Sequence, residues 1–575
     1  MNSERTIATS VLVIGTGGSG LRAAIELTRA GVDVLAVGKR PRADTHTALA
    51  AGGINAALAT MDAEDSWQQH AADTIKESYL LADPRTVQIV TQGAARGIHD
   101  LELWGMPFAR EADGRISQRF FGAHKYRRTA FAGDYTGLEI QRTLVGEATR
   151  LGVPILDNVY ITRILVRDNV VFGAYGFNLD DGTYYRIHAD AVILAAGGHT
   201  RIWRRTSSRR DENTGDSFRL AVLAGARIRD PELVQFHPSG IIEPENAAGT
   251  LVSEAARGEG GILRNALGER FMARYDPERM ELSTRDRVAL ACYTEIKEGR
   301  GTPKGGVWLD VSHLPRETIM TRLPRVYQTM LDVQMLDITT DPIEIAPTAH
   351  YSMGGVWVRP EDHSTEVDGL YAIGEAASGL HGANRLGGNS LIELLVYGRI
   401  TGQAAAEYSK NLGAQRRSAE AIGEARAEIA RLLKADGPEN VRALQRAVRD
   451  TMTAHAGVVR DEAGLLAGLS ELDTIEQRMT NVGVHPDIAG FQDLAHAFDL
   501  RAAVLAARAT MEAALERKET RGCHNRTDYP RLDPELRVNM VWSPEKGVAR
   551  EPIPAVPEEI EELMTEVSQE GKLVE

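Results

Sequence analysis

The chain has 575 residues, of which 43% are hydrophobic and 25% charged, and a formal net charge of −14. This is the composition of an ordinary globular protein of roughly three or four domains. The negative charge disfavours a nucleic-acid partner or direct adhesion to anionic lipid, and no apolar stretch approaches the ~18 residues of a membrane-spanning helix. We therefore expect no nucleic-acid partner and no direct membrane span, and the early first strand predicts no signal peptide.

The cysteine content limits the redox chemistry that the chain can perform alone. There are only two cysteines, Cys292 and Cys523, far apart in sequence. An iron–sulfur cluster usually takes four thiolates, so we expect no metal site here. If electrons leave this protein singly, another chain must hold the centres that carry them.

The N-terminal segment has the pattern of a dinucleotide-binding βαβ unit. A short apolar strand leads into Gly15-Thr16-Gly17-Gly18-Ser19-Gly20, and a helix and a second strand follow. Glycines at this spacing permit a tight turn and let a diphosphate approach the helix N-terminus. The acid that usually holds the ribose is replaced by Gly38-Lys39-Arg40. That basic pair could also suit the 2′-phosphate of NADP, although later motifs favour FAD.

A lone histidine precedes a run of small residues directly after this unit. His46 and Thr47 are followed by three alanines, a leucine and Gly52-Gly53. Small residues let a backbone approach a flat ring system, because no bulky side chain stands in the way. An imidazole nitrogen beside a flavin can be joined to it covalently. The alternative is a histidine in a surface loop.

The next 140 residues contain helices, an irregular loop and strands. Residues 63–103 have a helical pattern with a break at 82–84, and residues 157–198 read as strands that end in Gly197-Gly198. A basic cluster lies between them: Arg119, His124, Lys125, Arg127 and Arg128. We interpret this cluster as a solvated loop, and the alternative is a docking face for an electron-accepting partner chain.

Composition then divides the rest of the chain into four parts. An inserted segment is predicted from residue 231 to 347, and residues 348–411 return to the first domain. Residues 412–520 have helical periodicity and predict a helical bundle without chemistry of its own. Residues 521–575 form a C-terminal segment, whose proline-rich acidic end after Val548 is expected to be extended and loosely held.

The inserted segment and its return contribute a set of positively charged and imidazole side chains. These are His237, Arg257, Arg285, His350 and Arg385. A small dianion such as a C4 dicarboxylate calls for forked arginines, and imidazoles could add to the charge of its pocket. Each of these residues taken alone is more often structural than catalytic.

Taken together, the contexts of these residues resemble one family. The chain contains, in order, Phe236-His-Pro, Ser253-Glu-Ala-Ala-Arg-Gly-Glu-Gly-Gly, Arg285-Asp, His350-Tyr-Ser-Met-Gly-Gly, His381-Gly-Ala-Asn-Arg-Leu-Gly-Gly-Asn-Ser and Arg521-Gly-Cys-His-Asn-Arg-Thr-Asp-Tyr-Pro. With the His46-Thr47 segment, they look like the active-site motifs of the succinate dehydrogenase and fumarate reductase flavoprotein subunits. The resemblance covers roughly residues 10–410 and extends into the tail.

The resemblance implies a fold and a set of site residues. The fold class is α/β, with a Rossmann-like FAD-binding domain (1–230 and 348–411), an inserted α+β capping domain and a C-terminal helical bundle domain. Arg285 would transfer the proton at the substrate carbon, with Glu254 and Arg257 relaying it to solvent and a hydride passing to or from flavin N5. Substrate-binding residues would be His237, Ser253, His350 and Arg385. Covalent FAD would be attached at His46 and contacted by Gly15, Gly17, Gly18, Gly20, Lys39, Thr47, Gly52, Gly53, Gly197, Asp216, Glu375, Arg385, Asn389, Ser390 and Leu391.

The resemblance also implies an assembly. The chain would be the catalytic subunit of a succinate:quinone oxidoreductase that oxidises succinate to fumarate, and its partners would be membrane anchor subunits and an iron–sulfur subunit. It would lie peripherally on the cytoplasmic face of the inner (plasma) membrane. A fumarate reductase running in reverse, a soluble L-aspartate oxidase-like enzyme and a flavin-binding scaffold without turnover are the alternatives. His46 argues against the aspartate oxidase, which normally binds FAD without a covalent link.

Three positions depart from the family pattern. Ser253 stands where threonine is common, Ala255 replaces a usual glycine, and Ala51 replaces a glutamine or glutamate near the flavin. The first two keep the local chemistry. The third could alter the flavin potential, and so it bears on the preferred direction of the reaction.

Overall fold

The computed structural model describes residues 3–486 and 490–568. Up to residue 230 the elements are β1 Glu4–Ile14, α1 Gly18–Arg29, β2 Val34–Val37, β3 Ile54–Asn55, α2 Trp67–Glu77, α3 Pro84–Leu103, β4 Gln118–Arg119, β5 Thr129–Ala130, α4 Thr136–Arg150, β6 Ile155–Leu156, β7 Val159–Arg167, β8 Val170–Asn178, β9 Tyr184–Leu194, α5 Asp216–Ala224 and β10 Ile228–Arg229. The inserted segment, which we call the cap, contains β11 Val234–Ile241, α6 Ala255–Gly258, β12 Ile262–Arg264, α7 Met272–Tyr275, α8 Arg285–Lys297, β13 Val307–Asp310, α9 Arg316–Arg322, α10 Pro324–Gln334 and β14 Ile343–Ser352. The remainder contains β15 Gly355–Val356, β16 Leu370–Ala372, α11 Asn389–Asn411, α12 Ala419–Leu433, β17 Glu439–Asn440, α13 Val441–His455, β18 Val459–Arg460, α14 Glu462–Met479, β19 Val482–Gly483, α15 Gln492–Glu516, β20 Asn525–Arg526, β21 Val538–Ser543, β22 Gly547–Pro552 and α16 Glu558–Ser568.

The main sheet gathers three loops at one edge. Its strand order is β6-β2-β1-β9-β8-β7, and β16 also pairs with β9. The pairs β1–β2, β1–β9 and β9–β16 are parallel, so Ile14, Leu194 and Ala372 lie side by side at the carboxyl ends of their strands. The segments that follow these strands therefore emerge together. That edge is where open α/β sheets bind their ligands.

Both faces of this sheet are covered. Val11 and Val13 of β1 enter a core shared with α1, α3 and α11, whereas Leu12 and Ile14 enter a core shared with β7–β9 and helices α13–α15. Alternate residues of a strand point to opposite faces, so a strand buried on both sides needs apolar residues throughout. This explains the continuous apolar run that begins the dinucleotide-binding pattern.

The cap has an antiparallel sheet and a core of its own. The strand order is β11-β14-β13-β12, and its buried apolar residues form a separate cluster that includes Leu263, Val307 and Ile345. Strand β14 runs without a break across residue 348, where the chain was expected to return to the first domain. The α/β fold class with its capping and helical domains is confirmed. The exact domain boundaries stay predictions.

The C-terminal segment corrects one expectation from the sequence. Residues 547–552 form β22, which pairs with β21 in a sheet that also contains β10 and β15. The following α16 packs against α2, and Ile560 is fully buried there. This segment is thus packed against the protein as far as residue 564, because its strand and its helix both contact elements that are distant from them in sequence. The last residues, 569–575, lie outside the described residues.

The basic cluster between Arg119 and Arg128 is not a solvated loop throughout. The Arg128 side chain has no exposed surface and pairs with Asp65 at 2.8 Å and Asp73 at 2.6 Å. His124 is half-buried, with its Nε2 3.1 Å from the carbonyl of Gly387. Aspartates 55 to 65 residues earlier in the chain neutralise Arg127 and Arg128, and composition alone did not reveal this pairing.

We expect Arg128→Met to destabilise the protein strongly. Removing one partner of a buried ion pair leaves uncompensated carboxylates, here Asp65 and Asp73, and costs about 3–5 kcal/mol of unfolding free energy. Urea unfolding of the purified holoprotein measures this loss. The matched control is Arg142→Met, which removes an exposed pair with Glu139 and should cost less than about 1 kcal/mol. Equal losses in the two variants would contradict the importance of the buried pair.

Candidate active site

The turn after β1 is built for close backbone approach. Gly15 has a φ of +118°, and a Cβ atom there would lie 2.1 Å from the carbonyl oxygen of Ala195. A Cβ on Gly20 would lie 1.9 Å from the oxygen of Gly15, so α1 could not pack against the turn. Helix α1 begins after Gly17, which provides no side-chain cap, and the amide of Gly18 donates to Thr47 Oγ1 at 3.0 Å. The next amides of the first turn can face an anion such as a diphosphate.

Both basic residues after β2 are neutralised within the protein. Lys39 Nζ donates to Asp216 at 2.6 Å and lies 3.6 Å from Asp499. Burial alone would lower the pKa of Lys39, but these two carboxylates raise it above its usual range. Arg40 pairs with Asp44 at 2.6 Å. A 2′-phosphate would have to compete with these carboxylates, so the structure does not favour NADP at this position.

His46 is held by a carboxylate that sequence reasoning did not select. It begins a short 3-10 turn, His46–Leu49, and its Nδ1 lies 3.0 Å from Glu212 Oε2. Arg209 pairs with the same carboxylate at 2.6 Å. Burial alone would lower the pKa of His46, but Glu212 raises it above its usual value. Since Nδ1 is engaged, Nε2 is the ring nitrogen left for another partner.

Two neighbouring cap strands bring two predicted substrate residues together. His237 on β11 and His350 on β14 have ring centroids 5.4 Å apart, with the planes at 75°. Burial, with Arg285 and Arg257 adding positive potential, holds the pKa of His237 well below its usual range. Burial and Arg385 do the same for the pKa of His350. These surroundings favour the neutral form of both imidazoles, in which each ring can donate or accept a hydrogen bond, and the prediction that they add charge to the pocket stays a prediction.

Two arginines converge on one amide. Arg285, the first residue of α8, donates from Nη1 to Gln235 Oε1 at 3.3 Å, and Arg385 donates from Nη2 to the same oxygen at 3.0 Å. Arg385 also bonds to Ser390 Oγ at 2.8 Å and lies 4.5 Å from the ring centre of Tyr351. Burial and the nearby Arg285 lower the pKa of Arg385 to about 10. A neutral amide cannot balance two guanidinium charges.

A carboxylate links Arg285 to the predicted relay. Glu254 Oε2 accepts from Arg285 Nε at 2.8 Å and from Nη2 at 2.6 Å, and its Oε1 lies 3.9 Å from Arg257 Nη2. Burial alone would raise the pKa of Glu254, but Arg285 and Arg257 hold it well below its usual value. Arg257 is almost fully buried and donates to the carbonyl of Glu281. The carboxylate therefore stands between two guanidinium groups.

Most of the predicted site residues line one cavity of about 570 Å³. They are Gly15, Gly17, Gly18, Lys39, His46, Thr47, Gly52, Gly53, Gly197, Asp216, His237, Ser253, Glu254, Arg285, His350, Glu375, Arg385, Ser390 and Leu391. The cavity runs from the glycine turn past His46 to the arginines.

Three predicted residues do not line this cavity. Gly20 lies behind the turn and Arg257 lies behind Glu254. The side chain of Asn389 is fully buried and bonded to Asn55 at 2.8 Å and Thr74 at 2.9 Å, so it is not directed at a cofactor. The start of α11 remains available through its backbone, since this helix also begins without a side-chain cap. The roles of all predicted site residues stay predictions.

Sequence reasoning missed two residues that shape the site. The sequence could have indicated Gln235. Residues two apart on a strand share a face, and His237 was already a predicted site residue. No sequence pattern indicated Glu212, because it contacts His46 across 166 residues and lies in a polar segment without a distinctive pattern.

Comparison with known proteins reveals close relatives. Residues 10–391 match the family described as FAD binding domain, and residues 445–563 match the family described as fumarate reductase flavoprotein C-term. The chain is 41% identical over 533 residues to a fumarate reductase (CoM/CoB) chain of Methanothermobacter marburgensis, covering 92% of this chain and 96% of that one. It is 37% identical over 542 residues to the succinate dehydrogenase flavoprotein subunit of Rickettsia bellii, covering 90% of each.

Solved structures agree with these sequence relatives. Mycobacterium smegmatis Sdh1 in complex with UQ1 superposes with a TM-score of 0.90 at 36% identity, covering 99% of this chain and 98% of that one. A variant of E. coli quinol fumarate reductase FrdA has a TM-score of 0.90 at 31% identity, covering 96% and 97%.

Proposed function

Because this chain belongs to the succinate dehydrogenase and fumarate reductase flavoprotein family, we propose that it interconverts succinate and fumarate using FAD attached to His46. We take succinate oxidation as the leading direction. Fumarate reduction is the second candidate, and the name of the Methanothermobacter relative favours it.

The observation that carries this proposal is the charge balance around Gln235. Arg285, Arg385 and Arg257 carry three positive charges, and Glu254 supplies one negative charge among them. A dicarboxylate would restore neutrality, since it brings two negative charges into a buried site. The Nε atom of Arg385 is buried without a hydrogen-bond partner in the described part of the chain, which leaves a donor for such a ligand. Forked guanidinium groups match carboxylates in geometry as well as in charge.

FAD is the cofactor of this family, and the cavity fits it. The uncapped start of α1, the close glycine turn and the neutralised Lys39 suit the diphosphate and ribose end. His46, the Gly52-Gly53 pair and the uncapped start of α11 suit the ring end. Bound FAD would supply a two-electron acceptor for the hydride removed from succinate.

Side chains of the protein itself would transfer the proton to and from the substrate carbon. In fumarate reduction, Arg285 would donate a guanidinium proton to the substrate carbon and recover it from Glu254. Arg257 would return a proton to Glu254 from the solvent side, and in succinate oxidation each transfer runs in reverse. An arginine, whose ordinary pKa exceeds about 12, can serve only if a neighbour restores its charge at once. The 2.6 Å contact with Glu254 supports that role.

The neighbours of His46 support covalent attachment of the flavin. Glu212 occupies Nδ1 and would stabilise the positive charge that an imidazole gains when its other nitrogen forms a bond to carbon. We therefore assign the link to Nε2. The His46 side chain is 26% exposed, so that nitrogen can be reached from the cavity.

Partners and location follow from the family. An iron–sulfur subunit would accept electrons, and membrane anchor subunits would hold the assembly at the cytoplasmic face of the membrane. Among the described residues, no helix has the length and apolar character needed to span a lipid bilayer.

The direct test is turnover by the purified holoprotein in both directions. We expect dye reduction that depends on succinate and oxidation of a reduced dye that depends on fumarate, while L-aspartate supports neither. Comparing the two rates with matched dyes identifies the preferred direction. L-aspartate oxidation without succinate oxidation would instead support the aspartate oxidase alternative, and absence of all turnover would support the scaffold.

A further inference from the structure

A second, larger cavity adjoins the active site. It is a cleft of about 1770 Å³ between the cap and helix α13, and the loop of residues 201–210 forms its floor. Nothing in the proposed reaction uses this cleft. It is far larger than a C4 dicarboxylate, so it is not shaped as a tight binding pocket for one molecule.

The cleft carries an excess of positive charge, because seven arginines and one lysine line it against three glutamates, Glu243, Glu245 and Glu344. Arg201, Arg205, Arg210, Arg446 and Arg449 all face it. In the part of the chain that the structure describes, Arg210, Arg446 and Arg449 have neither an ion-pair nor a hydrogen-bond partner. The whole chain carries a net charge of −14, so this concentration of positive charge is a local feature.

Several of these arginines are half-buried close to one another. Burial and the neighbouring Arg449 lower the pKa of Arg201 to about 10, and burial with Arg210 lowers the pKa of Arg449. The Nε atom of Arg201 is buried without a hydrogen-bond partner among the described residues. An anion in the cleft would relieve this repulsion and occupy the free donors.

The cleft opens toward the predicted substrate residues. Ser207, Arg209 and Thr250 line both this cleft and the active-site cavity, so the two spaces meet at these residues. Ser207 Oγ lies 2.9 Å from Nδ1 of His350, one of the two imidazoles at the substrate site. A ligand that leaves the cleft by this neck would arrive beside His350.

We propose that this basic cleft is an anion-binding vestibule that captures the dicarboxylate from solution and delivers it to the active site. The inference rests on the proposed function, because it takes the dicarboxylate as the ligand. A cleft in which charges of one sign are in excess focuses the field of the protein and raises the local concentration of an oppositely charged ligand. The cleft is large enough for a dicarboxylate to pass through it, and the residues that it shares with the active-site cavity lie beside His350.

Stopped-flow binding of malonate, a dicarboxylate that cannot be desaturated, tests the vestibule without turnover. Malonate is mixed with oxidised holoenzyme, and the flavin absorbance change reports binding. In the triple variant Arg205→Gln, Arg210→Gln and Arg449→Gln, we expect the association rate constant to fall about tenfold at low salt, with the dissociation rate constant unchanged. Raising the salt from about 0.01 M to about 0.1 M, which shortens the Debye length from about 30 Å to about 10 Å, should slow association in wild type and shrink the difference.

Two matched variants separate the cleft from total charge and from folding. Arg96→Gln, Arg416→Gln and Arg431→Gln together remove the same charge from exposed positions that line neither cavity, and should keep the wild-type rate. The variant with Arg205→Lys, Arg210→Lys and Arg449→Lys keeps the positive charge of the cleft, so its association rate constant should stay near that of wild type.

The outcomes distinguish this inference from the function on which it rests. Equal association rate constants in wild type, the cleft variant and the remote variant would overturn the vestibule alone. A loss that is equally large in the remote variant would also overturn it, because net charge would then explain the effect. If wild type binds no dicarboxylate at all, the proposed function is wrong, and the vestibule is wrong as well because it takes the dicarboxylate as its ligand.

Discussion

Replacing Arg285 by lysine should lower kcat in both directions by about 10²–10⁴-fold, the usual contribution of a positioned proton donor. Arg285 reaches Glu254 through two nitrogens and Gln235 through a third. Lysine keeps the charge but offers a single nitrogen on a flexible stem, so it cannot hold both contacts and face the substrate. Steady-state dye assays with succinate and with fumarate measure the loss.

The control for this variant lies two residues away on the same helix. Arg287 is about half exposed and lies 3.8 Å from Asp276, so Arg287→Lys should leave kcat unchanged. FAD content and malonate binding should persist in Arg285→Lys, because His237, His350 and Arg385 remain. A variant with lysine at position 285 and wild-type kcat would rule out Arg285 as the proton donor.

His46→Ala should abolish covalent attachment of the flavin completely while leaving FAD bound without a covalent link. The wild-type chain, once denatured, should show a fluorescent flavin band on an acid-treated gel, and the variant should show none. Noncovalent binding should survive, because the glycine turn and the uncapped helix starts are untouched. Succinate oxidation should fall by more than fumarate reduction, since desaturating two unactivated carbons needs the stronger oxidant that a covalently attached flavin provides.

A second histidine–glutamate pair provides the control. His99 is 66% exposed and lies 3.3 Å from Glu102, in the same kind of pairing but away from the cavity. His99→Ala should keep the fluorescent band and both activities. If denaturation frees all the flavin from the wild-type chain, the covalent link is wrong and the aspartate oxidase-like alternative gains support.

Short sequence patterns predicted much of the fold. The spacing of Gly15, Gly17 and Gly20 after an apolar run predicts a strand, a tight turn and a helix, because only glycine tolerates those backbone approaches. The break at residues 82–84 was also visible, since an aspartate followed by proline begins α3. Short-range sterics and capping decide such features within a few residues of chain.

The family motifs predicted most of the residues that line the cavity. They did not predict which residues pair with the charged side chains among them. The sequence placed Arg285 and Arg385 at one site without indicating that they share Gln235, which lies 50 and 150 residues away respectively. It predicted that His46 lies beside a flavin, but it did not indicate that Glu212 contacts this histidine. Ion pairs and hydrogen bonds of this kind have no periodicity along the chain.

The sequence by itself determined the βαβ unit and the family and predicted most of the residues that line the cavity, because those depend on local backbone geometry and on residue identity. Only the tertiary structure decided which charges are neutralised. It buried Arg128 against two aspartates, paired Lys39 with Asp216 and left three arginines of the cleft, Arg210, Arg446 and Arg449, without an ion-pair partner among the described residues. The physical reason is that the state of a charge depends on its distance from other charges and from water, and packing between distant segments sets both distances.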